Sequence, residues 1–252
     1  MSVSELEAVE AQAAAAGGEA KRAYVQRTFS QIAPSYDFLN HLLSLNIDKG
    51  WRRKAIAALG WERAPKGTYL DLCAGTLDLS TMLSRRNGFD GQIIGADFAE
   101  PMLRAGAGKA DTKVVKPVVA DALDLPLPAG SVAGAIVGFG IRNVTSLDAA
   151  FAEMLRVLAP GGRFVILEFS TPPSALMRGL YHLYFHHVLP RVGGLVSGHR
   201  TAYSYLPKSV AHFPTGDTLA TMMRRSGFSH VEWRQLTFGV AAIHVGTKQQ
   251  HS

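Results

Sequence analysis

Thr68–Asp78 reads TYLDLCAGTLD. Tyr69-Leu70-Asp71-Leu72 has the make-up of a short buried strand. Ala74-Gly75-Thr76 is a turn of small residues, and Leu77 to Arg86 has helical spacing. Strand, small-residue turn and helix start in that order form a cradle. The turn lets a ligand approach backbone N–H groups, and the helix start offers unpaired donors. The turn is not GxGxxG, since only Gly75 is glycine, so the stretch alone also fits a plain strand-to-helix connection. A second signal follows about twenty residues on: Gln92-Ile93-Ile94-Gly95-Ala96-Asp97, a strand closed by an acid. Such an acid accepts hydrogen bonds from both hydroxyls of a ribose. The pair points to a nucleoside cofactor at the C-terminal edge of a parallel sheet.

Beyond Asp97 the pattern alternates. Ala99–Ala107 reads as a helix, Val114–Ala120 as a strand closed by Asp121-Ala122, and Val132–Val137 as a strand covered on both faces. Thr145 and Asp148 resemble a capping box for a helix whose apolar face is Leu147, Ala150, Phe151, Met154, Leu155 and Leu158. Pro160-Gly161-Gly162 stops that helix before the strand Arg163–Phe169. Alternation of this kind predicts an α/β fold with a doubly wound parallel sheet. Asp217–Arg225 then reads as a helix ended by Gly227, and Phe228–Gln235 and Phe238–Gly246 as two strands joined by a tight turn at an antiparallel edge.

The flanks divide the chain. Residues 1–20 form an acidic, alanine-rich tail expected to be disordered. Residues 21–60 are helical: Tyr24, Val25, Phe29 and Ile32 recur at helical spacing, and Asp48 is placed to cap a helix with Trp51, Ala55 and Leu59 on one face. This part serves either as a lid over the site or as a structural helix pair. Residues 61–252 form the cofactor-binding domain, with an insertion at 171–214 whose stripe of Leu176, Leu180, Leu183, Tyr184 and Val188 lines a tail tunnel, rests on a bilayer, covers the sheet or forms a dimer contact.

Charge is uneven. The whole chain is +6 and the first twenty residues carry −4, so the rest carries +10. Its cations are scattered without aromatic interleaving, which speaks against nucleic acid and leaves a membrane surface as the basic body's partner. Cys73 is the single cysteine, so no internal disulfide forms; of the nine histidines, His182, His186 and His187 cluster, with His182 and His186 at i, i+4, but no carboxylate stands beside them in that helix, and no metal is expected. The N-terminus lacks the basic and apolar regions of a secretory signal and no long apolar run occurs, so the expected location is cytoplasmic, with peripheral attachment to the inner face of the membrane.

Several segments together carry a resemblance. Asp71–Asp78, Ile94–Asp97, Asp121-Ala122 and Leu158–Gly162 resemble the class I S-adenosyl-L-methionine-dependent methyltransferases. Phe29–Asn40 (FSQIAPSYDFLN), Gly138–Val144 (GFGIRNV), Leu167–Ser170 (LEFS), Ala202–Pro214 (AYSYLPKSVAHFP) and Gly239–Gly246 (GVAAIHVG) look more narrowly like the UbiE/MenG family of quinone-biosynthesis C-methyltransferases. The likeness spans about Tyr24 to Lys248. It implies a Rossmann-like, seven-stranded, mostly parallel sheet with helices on both faces and an N-terminal helical lid. It also implies S-adenosyl-L-methionine as cofactor and a polyprenylated benzoquinol or naphthoquinol as methyl acceptor. Two other readings stay open: a methyltransferase with a different small acceptor, and a non-catalytic scaffold of a quinone-biosynthesis complex, or a homodimer of either kind.

The resemblance places Thr76, Asp97, Asp121 and Ala122 at the cofactor, and Asp71, Gly75 and Gly138 of the same motifs are cofactor-site candidates. From their chemistry, Arg142, Asn143 and Tyr36 are the catalytic candidates: Arg142, permanently cationic, suits a developing phenolate or forms a salt bridge; Asn143 orients a hydroxyl or the cofactor or caps a turn; Tyr36 hydrogen-bonds the quinol or a bridging water, or packs in the core; Tyr203 and Tyr205 line the acceptor ring or only pack. Glu168 orients a water or caps a backbone group. The chain departs from the family at Leu77, where the family has glycine, and at Gly138, where it has serine.

Overall fold

The computed structural model describes residues 18–33, 44, 46–183 and 209–250. Five strands run parallel: Thr68–Leu72 (β1), Gln92–Asp97 (β2), Val115–Val119 (β3), Val132–Gly138 (β4) and Leu158–Phe169 (β5). Phe228–Leu236 (β6) and Ala241–Lys248 (β7) complete a seven-stranded sheet in the order β3-β2-β1-β4-β5-β7-β6. β7 lies between β5 and β6 and is antiparallel to both. Strand order reverses between β1 and β4, which leaves a crevice beyond their carboxyl ends.

Helices cover both faces, so the central strands are mostly apolar, with Asp71 of β1 and Glu168 of β5 as buried exceptions. Ile47–Leu59 (α2) and Asp78–Ser84 (α3) pack Trp51, Ile56, Leu59 and Leu83 on one face. Leu147–Val157 (α5) and Gly216–Ser226 (α7) pack Phe151, Met154, Leu219 and Met223 on the other. Glu100–Gly106 (α4) follows β2, Gly18–Ile32 (α1) precedes the sheet, and Ala175–Leu183 (α6) opens the insertion.

Local chemistry moved several boundaries. α1 begins at Gly18, inside the segment read as tail. Asn46, left-handed at φ 59, precedes α2, while Asp48 is taken up by Ser44 Oγ (2.6 Å) and Arg52 (3.3 Å), so it does not cap. Ser146, not Thr145, caps α5, its hydroxyl accepting from the Ala149 N–H. Leu158 leaves that helix's face and pairs with Val132; the next pair is Gly134 with Arg163, so Ala159–Gly162 bulges out with Gly161 at φ 77. The β6–β7 connection is a short 3-10 turn, Thr237–Gly239, and β7 starts at Ala241. The expected helix to Val188 is described only to Leu183; Tyr184 and Val188 lie outside the described residues, as does most of the tail.

At the far edge, His244 is buried and stacks on Trp233 with ring centroids 5.4 Å apart. Its Nε2 donates to the Gly216 carbonyl (2.9 Å), which leaves Nδ1 buried without a partner among the described residues. A proton on Nδ1 finds no acceptor there, and burial pulls the imidazole pKa down to about 4. A folded value below the ordinary 6.5 means stability is complete above pH 6.5 and falls as pH drops toward 4. His244→Phe is expected to remove roughly 3 kcal/mol of that acid-side loss. Urea unfolding of both proteins at pH 7 and pH 4.5 checks it; parallel acid slopes would show that another group is responsible.

Candidate active site

The connection from β1 to α3 coils tightly. Cys73, Gly75 and Leu77 all take left-handed conformations, at φ 52, 53 and 64. Two of the three carry a Cβ, at a cost of about 1–2 kcal/mol each, so strong partners must hold the turn. Ala74 N donates to Ala96 O (3.0 Å), and Gly75 N donates to the Asp97 carboxylate (2.8 Å). Leu77 offers α3 no side-chain cap; instead Asp71, at the floor of the turn, accepts from Ser80 N (2.9 Å) and Ser80 Oγ (2.7 Å). Burial raises the Asp71 pKa to about 7 against those bonds.

Leu77 takes a left-handed conformation that favours glycine without blocking the hollow. Its side chain turns into the core: a Cβ built on Gly95 of β2 would lie 2.4 Å from Leu77 Cδ2. The missing side chain at 95 is thus the space that Leu77 fills. The second departure is matched in the same way, since a Cβ on Gly138 would lie 2.8 Å from Leu79 Cδ1. Gly95→Ala is expected to destabilise the protein by about 1–3 kcal/mol through overpacking. Adding Leu77→Ala is expected to restore part of that loss, and a denaturant double-mutant cycle reads the coupling. Purely additive effects would place the Leu77 side chain elsewhere.

The resulting cleft is open to solvent and measures about 740 Å³ with its mouth counted. Its walls come from four strand ends: Cys73 and Gly75 after β1, Ala96, Asp97 and Phe98 at β2, Ala120–Ala122 after β3, and Gly138–Gly140 at β4. Asn143, Val144 and Thr145 continue the wall, and Arg22, Val25 and Phe29 of α1 close over it. Both Asp97 carboxylate oxygens accept backbone N–H groups, from Gly75 and Ala99 (2.8 Å each), which fixes the group at the β2 end. Burial nonetheless raises its pKa. Burial and the nearby carboxylates hold the Cys73 thiol well above its ordinary value, so it is a neutral wall residue.

α1 is tied across the opening. Lys21 Nζ donates to the carbonyls of Arg142 (2.9 Å) and Val144 (2.8 Å), Arg22 pairs with Asp121 (3.0 Å), and Gln26 donates to Phe98 O (3.4 Å). Burial and Arg142 lower the Lys21 pKa.

Gly75, Asp97, Asp121, Ala122, Gly138 and Asn143 therefore meet at one cleft. Asp71 and Thr76 do not line it: Asp71 supports α3 from below, and Thr76 is buried with its backbone against Gly106 of α4. Arg142 does not line it either. Its guanidinium is buried against Glu168 (2.7 Å), the Phe139 carbonyl and Ser209 Oγ (3.3 Å), and lies over the Phe169 ring. The cation expected to meet a phenolate is already neutralised by Glu168, whose own carboxyl is pushed up by burial and drawn back by Arg142. Tyr36, Tyr203 and Tyr205 lie outside the described residues, as do His186 and His187. Sequence reasoning missed Arg22, Phe98 and Phe139. Only the fold brings Arg22 of α1 to Asp121, 99 residues away in sequence. Phe139, left-handed at φ 62 and packed on Phe169 at 4.7 Å, carried no local sign of strain.

Comparison with known proteins agrees with this geometry. The model of the ubiE/COQ5 methyltransferase family matches residues 18–248. The chain is 49% identical over 222 residues to a demethylmenaquinone methyltransferase of Thermus thermophilus, covering 87% of this chain and 99% of that one. It is 46% identical to one of Deinococcus radiodurans, covering 89% and 92%. It is 41% identical to the ubiquinone/menaquinone biosynthesis C-methyltransferase UbiE of Geobacter sulfurreducens, covering 89% and 88%. Among solved structures, a SAM-dependent methyltransferase of Thermotoga maritima shares the fold at TM-score 0.62 and 19% identity, covering 88% of this chain and 99% of that one. The seven-stranded sheet, the cleft at its switch point and these matches agree: the chain belongs to the ubiE/COQ5 methyltransferase family and is a C-methyltransferase.

Proposed function

We propose that this chain transfers a methyl group from S-adenosyl-L-methionine to a ring carbon of a polyprenylated demethylated quinol. The observation that carries the cofactor half is the fit of the cleft to that group. Asn143 Oδ1 is buried in the wall with no partner among the described residues and needs a donor, which an amino-acid ammonium supplies. Asp97 stands at the β2 end, where a ribose is held in this fold, with lone pairs left over after its two backbone bonds.

When bound, S-adenosyl-L-methionine supplies an electrophilic methyl on a cationic sulfur. The chain's own residues do the rest. Asp97 holds the ribose hydroxyls, Asp121 and Ala122 border the base, and Gly75 leaves room for close backbone approach. The Asp97 and Asp121 carboxylates favour a positively charged ligand. Val25 and Phe29 exclude water from the cleft. Arg142 and Glu168 act as positioning residues: together they fix the Phe139–Asn143 turn, and Lys21 braces it from outside. Tyr36, Tyr203 and Tyr205 are the candidates for contact with the acceptor ring.

The two relatives named for demethylmenaquinone share more identity with the chain than the one named UbiE, so a naphthoquinol is the first acceptor to test. Purified protein with methyl-labelled cofactor and reduced naphthoquinol, benzoquinol and simple phenols is the experiment. Label on the naphthoquinol ring carbon is the expected product. Label on phenols alone would favour a different acceptor, and no label on any acceptor would favour a scaffold.

A further inference from the structure

Among the described residues, the strongly exposed large apolar side chains are Ile47, Val119, Leu176, Leu183 and Phe238. Val119 closes β3 at one edge of the sheet, whereas Ile47, Leu176 and Phe238 stand near the carboxyl end of β5. Phe238 lies in the β6–β7 turn, beside the carboxyl end of β5, because Ala241 pairs with Phe169. α2 runs against the strands: Gly60 at its end approaches Arg163 at the start of the main β4–β5 pairing, while Trp51 donates to Thr237 Oγ1 (2.8 Å). Ile47, one turn before Trp51, therefore stands at the same rim. α6 leaves β5 there too, and its buried Tyr181 feels the charges of Arg142 and Glu168. This is the carboxyl end of the sheet, the end at which the cleft lies.

Phe238 is held out deliberately. Thr237 and Phe238 are both left-handed, at φ 46 and 55, a strained state for residues with a Cβ. Trp51 and the Val240 N–H fix Thr237, Ser170 Oγ fixes the Gly239 carbonyl (2.7 Å), and the phenyl ring remains 76% exposed. On α6, Leu176 and Leu183 stand two turns apart at 74% and 57% exposure. That helix, ALMRGLYHL, contains no acid and exposes Arg178.

We propose that this rim docks on the surface of an anionic lipid bilayer, with Phe238 and Leu176 entering the acyl boundary. Three observations select a bilayer. Ile47, Leu176 and Phe238 stand at the carboxyl end of the sheet, the same end as the cleft, as delivery of a water-insoluble tail requires; this rests on the proposed quinol acceptor. A short apolar helix face beside a rigid exposed aromatic matches interfacial binding. The chain is basic, at +6, with Lys49 and Arg178 exposed beside the patch.

Sedimentation with phosphatidylglycerol/phosphatidylcholine vesicles and with phosphatidylcholine vesicles alone tests it. The unaltered protein is expected to partition at least tenfold more onto the anionic vesicles. Phe238→Asn with Leu176→Gln is expected to lose at least tenfold of that binding. Asn tolerates the left-handed backbone and Gln the helix, so the variant keeps its Tm and its binding of S-adenosyl-L-methionine. Equal sedimentation of variant and unaltered protein overturns the proposal. So does an unaltered protein that stays in the supernatant, or a variant whose only loss is self-association in sedimentation velocity. Methylation of a short-tailed, water-soluble quinol separates this from the functional reading. Equal activity of both proteins on it, with loss only on a vesicle-borne long-tailed quinol, supports docking. Absence of that activity in the unaltered protein defeats the functional reading, and the sedimentation result then decides docking by itself.

Discussion

Arg142→Ala is expected to cost the fold about 3–5 kcal/mol, because it leaves the Glu168 carboxylate buried and unpaired. Glu168 is 1% exposed, and besides Arg142 its oxygens accept only from the Phe169 N–H among the bonds described. The Phe139 carbonyl and Ser209 hydroxyl lose a donor at the same time. For a domain of this size the loss corresponds to a Tm lower by on the order of 10 °C. Arg142→Met with Glu168→Leu removes both charges and is expected to recover most of the stability. It is not expected to recover full cofactor affinity, since the turn that carries Asn143 loses its anchor. Thermal unfolding of the three proteins, read with cofactor binding, separates the two roles. A single variant as stable as the unaltered protein would show that the pair is not what holds this corner.

Asp97→Ala is expected to weaken binding of S-adenosyl-L-methionine by on the order of 100-fold or more, since two hydrogen bonds to a charged acceptor are lost at about 1.5–3 kcal/mol each. Asp97→Asn is no milder control. Both carboxylate oxygens accept backbone N–H groups, so an amide must turn its NH₂ toward either Gly75 N–H or Ala99 N–H. Titration calorimetry of both variants beside the unaltered protein reads the effect. Equal affinity in Asp97→Ala would remove this residue from the cofactor.

The parts of the fold legible in the sequence were those written by local patterning. Val132–Val137 and Phe164–Leu167 are apolar because both faces of the sheet are covered, and Gly60 and Gly227 end helices by backbone preference; the Pro160–Gly162 run, read as a helix stop, lies instead in the bulge of β5, α5 having ended at Val157. Helix starts were less legible, because Asp48 and Thr145 are sound caps whose side chains or neighbours found other roles. Asp97, Asp121, Asn143 and Gly138 could be placed because each follows a strand end. Asp71 and Arg142 follow the same rule, yet their charges are consumed by Ser80 and Glu168, partners 9 and 26 residues away. The departure at Leu77 looked costly because a leucine beside a cofactor suggests a plug. The compensating absence of a side chain at Gly95 is a tertiary fact, visible only when β2 is laid beside the turn.

A crystal structure of the protein with S-adenosylhomocysteine tests the central claim most directly. The ribose hydroxyls are expected on the Asp97 carboxylate, the base beside Asp121 and Ala122, and the amino acid end within hydrogen-bond reach of Asn143, with Leu77 still packed on Gly95. Ligand bound elsewhere, or Leu77 turned into the cleft in its place, would contradict the account.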